Sequence, residues 1–406
     1  MKKLNIYKIL LLAFGLMGVF ACEEELGFKE PSGSDTTIPA QISNVQVENL
    51  PGKARLTYDV PNDKSLLYVK AVYTLNSGET MEVQSSFYDN SLLVEGYADT
   101  EEHEVELYSV SRNNLLSEPV KVTIKPQEAP IWSVFESLEM ANAFGGYNLT
   151  AENPTKEDIS ILILKENVLG EFEVDNQKSV FTSADEVESK IRGLDTLNYE
   201  FKVLVMDKWG NATDTLNKIV KPIYETELDP ANFEAFPLPG DAPQVSNGAR
   251  LEYAWDGRML WPYTSFTNQS AGGPDPHIIT FDTGKEAKLS RIWIRAYPEF
   301  WWTASPQWYY LTTLKRFEVY GSTDPSLSGE LDDSWTLIGS YEVEKPSDSP
   351  YGEDNALDDQ VASQGFNFEV DLDAPKVRYL RIRCLENWGG GTAQSINELK
   401  IYGDPR

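Results

Sequence analysis

Aromatic side chains gather in one short stretch of this chain, residues 298–310 (PEFWWTASPQWYY), which holds Trp301, Trp302, Trp308, Tyr309 and Tyr310 alongside two prolines and without strict alternation. Such a stretch between two strand patterns reads as a loop, and a loop has little interior in which to hide large rings. Trp and Tyr join an apolar face to a polar tip, so they can lie flat on the C–H face of a pyranose while bonding its hydroxyls. Their few rotatable bonds make that binding cheap in entropy. A second ring-bearing segment, RMLWPY at 258–263, carries Trp261 and Tyr263. A third, NWGGG at 387–391, sets Asn387 and Trp388 beside glycines that let the backbone approach a ligand closely. Arg295, Asn387 and Gln394 would add directional hydrogen bonds to hydroxyls.

These residues point to a polysaccharide or oligosaccharide ligand, with Trp388, Trp301 and Trp308 as the main platforms and Trp302, Trp261, Tyr263, Tyr309, Arg295 and Asn387 around them. The competing assignment is packing: rings folded beneath their own prolines, Trp388 as the lid of a glycine hairpin, and polar groups that only meet solvent. Trp255, Trp293 and Trp335 sit in or beside strand patterns and belong to the core. Eight of the chain's 10 Trp lie beyond residue 250, so the ring-based chemistry is concentrated at the C-terminal end.

Catalysis finds little support. The two histidines, His103 and His277, sit in no zinc or nucleophile pattern, and His103-Glu104 lacks a second His four residues on. There is no Gly-x-Ser-x-Gly elbow and no phosphate-cradling glycine loop. A pair of carboxylates at glycosidase spacing is the one enzymatic arrangement that sequence alone leaves open. The chain carries 64 acidic against 35 basic residues, a formal charge of −29, so nucleic acid is an unsuitable partner. A neutral sugar is indifferent to that charge. Neither a disulfide framework nor a reactive thiol is expected: of the two cysteines, Cys384 alternates inside a strand pattern as a small buried side chain.

The elements that must position these residues are β-strands. Short alternating runs recur from Val45 onward, separated by turn residues, which defines an all-β chain of sandwiches. Leu56-Thr57…Pro61 is echoed at Leu149-Thr150…Pro154, and Val105…Pro126 at Phe201…Pro222, close to one hundred residues apart. The expected organisation is an export signal over 1–21, a flexible tether over 22–37, sandwiches over 38–126 and 127–224, and a C-terminal sandwich over 225–406. Residues 184–191 would form a short helix at most. The signal reading rests on Lys2, Lys3 and Lys8 before an apolar run that is too short for a span of about 20 residues and stops at Cys22.

Val19-Phe20-Ala21-Cys22 resembles the lipobox of bacterial lipoproteins. That resemblance implies a lipid on Cys22 and attachment to a membrane, and the acids at 23–25 resemble the surface-export signal of Bacteroidetes lipoproteins. Residues 38–126 resemble a fibronectin type III domain, and 127–224 look like a divergent fibronectin type III/Ig-like relative. Asp256-Gly257, Phe281-Asp282-Thr283-Gly284, residues 317–324 with Trp335, residues 377–382 and residues 397–403 together resemble the discoidin (coagulation factor 5/8 type C) family. That resemblance implies a jelly roll with its ligand loops at one end. It also implies a structural calcium held through Asp256 and Glu398, although Arg258, Met259 and Leu260 depart from the family pattern; alternatively, Glu398 satisfies buried backbone N–H groups. The whole plan resembles surface lipoproteins of polysaccharide-utilisation systems. It implies non-catalytic glycan capture at the outer membrane beside a glycan transporter and other surface lipoproteins, or else an adhesin or assembly protein working through protein–protein contacts.

Overall fold

The computed structural model describes residues 37–268, 276–299 and 305–406; Cys22, Trp301 and Trp302 lie outside them. The chain is all-β and its described residues form two compact units, one of residues 37–133 with 206–213, the other of residues 134–205 with the described part of 214–406.

In the first unit, strands β1 (Ser43–Leu50), β2 (Lys53–Asp59), β3 (Leu66–Thr74), β4 (Thr80–Ser86), β5 (Ser91–Glu95), β6 (His103–Ser111) and β7 (Val120–Ile124) build a sheet β1-β2-β5 and a sheet β4-β3-β6-β7. Every second residue of β2, β3 and β6 is buried, so Leu56, Tyr58, Val69, Tyr73, Val105 and Leu107 fill the space between the sheets. Trp209 packs against this core, and Asn211 Nδ2 donates to Gly96 O (3.0 Å).

The second unit begins with another pair of sheets. Strands β8 (Glu139–Ala143), β9 (Gly146–Glu152), β10 (Ile159–Glu166), β11 (Phe172–Val174), β12 (Val180–Thr182), β13 (Glu186–Ile191), β14 (Tyr199–Asp207) and β15 (Leu216–Val220) give β13-β9-β8 and β11-β10-β14-β15, with β12 on β10. The short helix expected over 184–191 is instead strand β13. It pairs with β9 from Glu186↔Glu152 to Ile191↔Tyr147 and buries Val187; pairing with β9 outweighs a run of good helix formers. Conversely, Pro130–Ser137 is a helix that strand counting missed. Pro130 opens it, and Ile131, Val134 and Leu138 are buried at helical spacing.

The C-terminal sandwich is formed by β16 (Thr226–Glu227), β17 (Glu234–Ala235), β18 (Ser265–Phe266), β19 (Ile278–Arg295), β20 (Leu314–Ser322), β21 (Thr336–Glu342), β22 (Phe366–Glu369), β23 (Val377–Asn387), β24 (Ser395–Ile396) and β25 (Glu398–Asp404). Strand β19 is the spine. Its first part pairs with β23, a register shift between Asp282 and Ala287 bends it, and its second part pairs with β25 and β22. Gly284 makes the bend possible: its φ is +73°, and a Cβ there would stand 2.5 Å from Asn232 O. Trp255, Phe281, Phe317, Ile382 and the fully buried Cys384 share the core.

The β-sandwich of β8–β15 and the C-terminal sandwich are tied by Glu225. Its Oε1 accepts from Arg192 Nη1 (2.6 Å), Ser290 Oγ (2.6 Å) and Arg291 Nε (3.3 Å), and Arg192 also reaches Glu369. With three donors on one shielded oxygen, truncation removes a shared carboxylate from two guanidinium groups and leaves them only their other acceptors, Phe144 O and Glu369 for Arg192 and Asn367 for Arg291. We expect Glu225→Ala to cost about 3 kcal/mol, read as a lowered urea midpoint of the second unit; an unchanged midpoint would show the junction to be ornamental.

Candidate functional site

The loops at one end of the C-terminal sandwich divide their rings between interior and surface. Trp308 and Tyr309, expected as sugar platforms, are 4% and 1% exposed and belong to the core. Trp308 donates its amide to Asp354 Oδ2 (2.6 Å) and its indole N–H to Asp359 Oδ1 (2.8 Å). Tyr309 lies under Lys345 and edge-on to Trp388, with ring centroids 5.2 Å apart. The cover is residues 345–364, which end in the helix Ala356–Gln364; Asn355 and Asp358 cap that helix reciprocally.

Asn387 is likewise buried and structural: its Nδ2 donates to Ala393 O (2.8 Å) and its Oδ1 accepts from Gly391 N (2.8 Å), which shapes the glycine turn. Arg295 is also committed. Nε donates to Ser363 O (3.0 Å), Nη1 to Asn397 Oδ1 (3.0 Å) and to the Met259 sulfur, and the guanidinium lies 5.0 Å from the Trp308 centroid. Gln394, fully buried, bonds the carbonyls of His277 and Ile382. These groups serve the interior of the sandwich, and Gln394 Oε1, which has no partner among the described residues, is buried beyond the reach of a hydroxyl.

Trp388 is half-buried. Its backbone N–H reaches Thr313 O (3.1 Å), Lys315 Nζ lies 5.5 Å from its ring centroid, and its indole N–H is turned inward, buried and without a partner among the described residues. It can offer a ligand part of its ring but not its polar tip. Tyr263 has one face under the Arg258 guanidinium, 3.9 Å from its centroid, and Tyr253 against its edge.

Other rings face solvent. Trp261 is 39% exposed and is gripped edge-on by Phe266 (6.0 Å) and Tyr297 (6.5 Å), which also meet each other at 6.1 Å. Tyr351, 51% exposed, stacks on Tyr310 at 4.9 Å, and its Oη accepts from Leu311 N (3.3 Å). Glu299 joins the two groups: it pairs with Gln307 through both backbone bonds, and Gln307 Nε2 donates to Gly352 O (2.6 Å) beside Tyr351. Burial, with the Glu299 charge as a smaller cause, raises the phenols of Tyr297 and Tyr351 above their ordinary value. Phe266, Tyr297, Glu299 and Tyr351 were not singled out from sequence. For Tyr351 the available signal was a lone aromatic in a Ser/Pro/Gly-rich segment.

The calcium expected through Asp256 and Glu398 does not fit the side chains present. Asp256 Oδ2 is held by Arg258 Nε (2.9 Å) and Nη2 (2.7 Å), while Oδ1 takes the Arg258 amide (2.8 Å). Both Glu398 oxygens face the Gly257 N–H at 3.2 Å, which is the alternative role considered above. A guanidinium thus stands on the acid that would ligate the ion, whereas Ca²⁺ wants six to eight oxygens. Among the described residues no group of three or more His, Cys, Asp or Glu could hold a metal.

Three family models match the chain: Domain of unknown function (DUF4959) over residues 39–126, Domain of unknown function (DUF5126) over 127–231, and a further domain of unknown function (DUF5000) over 255–403. No curated protein matches it. Among solved structures it is similar to a SusE-like protein, at 27% identity over 68% of this chain and 100% of the other, with a TM-score of 0.42. It is also similar to the family 32 carbohydrate-binding module of NanJ from C. perfringens, solved with galactose (18% identity, 44% of this chain and 98% of that one, TM-score 0.29). A putative chitobiase fragment from Bacteroides thetaiotaomicron is similar at 18% identity over 45% of this chain and 94% of its own, with a TM-score of 0.32.

Two measurements check this sorting of side chains. Trp308→Ala should cost about 3–5 kcal/mol in denaturant unfolding, as expected for a core indole, and Trp261→Ala under about 1 kcal/mol; equal costs would contradict the division. Burial holds Glu398 up at about 7, above its unfolded value near 4.3. Its stabilising contribution is therefore complete below about pH 4.3 and is lost as pH rises through about 7. That loss should amount to on the order of 1–2 kcal/mol between about pH 5 and about pH 8. Glu398→Gln should remove this slope from the urea midpoints, and parallel pH profiles for the two proteins would refute the assignment.

Proposed function

We propose that this chain is a non-catalytic glycan-binding protein, held at the outer membrane by a lipid on Cys22 and facing the cell exterior, where it captures polysaccharide for uptake. The observation that carries this reading is the pair of exposed ring groups, Trp261 gripped by Phe266 and Tyr297 and Tyr351 stacked on Tyr310, at one end of the C-terminal sandwich. Neighbouring rings hold both in place before a ligand arrives, so a pyranose can stack on them without a large ordering cost. In this role a glycan transporter and other surface lipoproteins are natural partners, and calcium is not required.

A second reading, an adhesin or assembly protein, is favoured by Val168, Leu169, Phe181 and Ile219, large apolar side chains exposed on the β8–β15 sandwich. The two readings make different demands on the same variants. Affinity gels containing soluble polysaccharides should retard the wild-type chain, and Trp261→Ala or Tyr351→Ala should weaken retention by about 1–3 kcal/mol. Phe181→Asp should leave it unchanged. Loss of retention in Phe181→Asp with none in the ring variants would transfer the function to the protein-contact surface.

A further inference from the structure

The two sandwiches that echo each other in sequence treat the same sheet face in opposite ways. In the first, the outer face of β4-β3-β6-β7 is laced with ion pairs: Lys70 Nζ stands 3.0 Å from Glu82 Oε1, and Lys121 Nζ stands 2.7 Å from Glu104 Oε1 and 3.0 Å from Glu106 Oε1. In the second, the same order recurs as β11-β10-β14-β15, and the registers correspond. Lys202 pairs with Asn217 where Glu106 pairs with Lys121, and Glu200 pairs with Ile219 where Glu104 pairs with Thr123. Asn217 thus takes the place of the lysine that bound two acids. Alternating with the buried positions of β10 and β14, the outward positions hold Leu162, Leu164 and Leu204, all half-buried. Val174 is exposed beside them, and Phe181 and Ile219 are 61% and 74% exposed. Apolar side chains scattered singly on a surface are ordinary, but a run of them across one sheet face marks a contact.

Charge indicates which partner covers it. The chain carries −29 overall, so two copies repel one another across most of their surfaces. At the centre of this face, however, the outward side of β14 holds one acid and one base two residues apart, Glu200 and Lys202, with Lys202 Nζ 3.8 Å from the Phe172 ring centroid. A second copy turned about a two-fold axis that lies in the face and crosses β14 at Phe201 runs its own β14 antiparallel to the first. Each Glu200 then meets Lys202 of the partner subunit, the self-complementarity that a two-fold contact requires. Facing sheets pack about 10 Å apart, a gap that Glu and Lys side chains reach across from opposite sides. We propose that the outer face of β11-β10-β14-β15 is the surface through which two copies of this chain associate, closed by its apolar side chains and held in register by reciprocal Glu200–Lys202 pairs. Four strands about 4.8 Å apart and about eight residues long make a face of roughly 20 by 25 Å. Two copies then bury on the order of 1,000 Å², the low end for a specific contact, where association is reversible. The proposal goes beyond the glycan reading and does not depend on it.

Sedimentation velocity of the full chain from about 1 to about 200 μM, the range in which a contact of this size titrates, provides the test. The wild type should move from monomer towards twice its mass as concentration rises. Phe181→Asp and Ile219→Asp exchange exposed side chains and spare the core; each should raise the dissociation constant about tenfold or more. Glu200→Lys alone and Lys202→Glu alone set like charges across the axis and should weaken association as well. The double variant Glu200→Lys/Lys202→Glu restores opposite charges and should return association to near the wild-type value, an outcome that only a second copy in the antiparallel arrangement produces. Thermal midpoints of all variants control for folding, and either aspartate variant carries the apolar arm if the other does not fold. A wild type that stays monomeric throughout overturns the proposal and leaves the face to a partner of another sequence. Association unchanged in both aspartate variants, or a double variant no stronger than its single parents, overturns it too. Gel retention by polysaccharide is read separately, so failure here leaves the glycan reading standing.

Discussion

Lys345 and Asp354 meet at 3.1 Å with both side chains almost wholly buried, and the C-terminal loops are arranged around that ion pair. Two charges removed from water carry a desolvation cost that their attraction alone need not offset. Here further hydrogen bonds share the work: Lys345 also donates to Glu353 O (2.8 Å) and Pro350 O (3.3 Å), and Asp354 accepts the Trp308 amide. Its main product is geometry. The segment that carries both charges is drawn down over Trp308 and Tyr309, and two rings from a loop become core.

That closure determines which rings remain outside and how firmly they are held. Tyr310 follows the buried pair directly and stacks on Tyr351, which the same covering segment supplies. Gly389 N donates to Leu311 O (2.8 Å) and Trp388 N to Thr313 O (3.1 Å), so the glycine turn is registered against the same loop. Trp261 is positioned separately, by two edge-on rings from Phe266 and Tyr297. A binding surface made of parts already fixed by packing loses little freedom when a ligand settles, and modest contact areas then suffice.

The β-content and the buried role of Cys384 were legible in the sequence because both follow from local alternation: β3 and β6 bury every second residue, and Cys384 follows the same rhythm in β23. The aromatic end of the C-terminal sandwich was legible as a ring-rich region, but which of its rings are buried was not. Residues 298–310 look like an exposed aromatic loop, yet their cover comes from residues 345–364, far along the chain, and no local pattern announces that Asp354 and Asp359 will claim Trp308. The same distance hid Tyr351. The helix at Ala356–Gln364 did carry a local signal, Asn355 followed three residues later by Asp358, which strand-oriented reading passed over. At Glu186–Ile191 the error ran the other way, because pairing with β9 is a tertiary matter.

Cations show most clearly why the ring residues singled out from sequence and the exposed rings differ. Arg258 lies 3.9 Å from the Tyr263 centroid, Arg295 5.0 Å from that of Trp308, and Lys315 5.5 Å from that of Trp388. Each cation is anchored elsewhere, by Asp256, by Ser363 and Asn397, and by Glu386 respectively. A face occupied by an anchored cation gains cation–π attraction and is lost to a sugar. Among the described residues no cation stands over Trp261 or Tyr351. In a chain with so many acids, the few basic groups at this end are spent on holding rings in place, and Trp261 and Tyr351, which have none over them among the described residues, stay open to solvent.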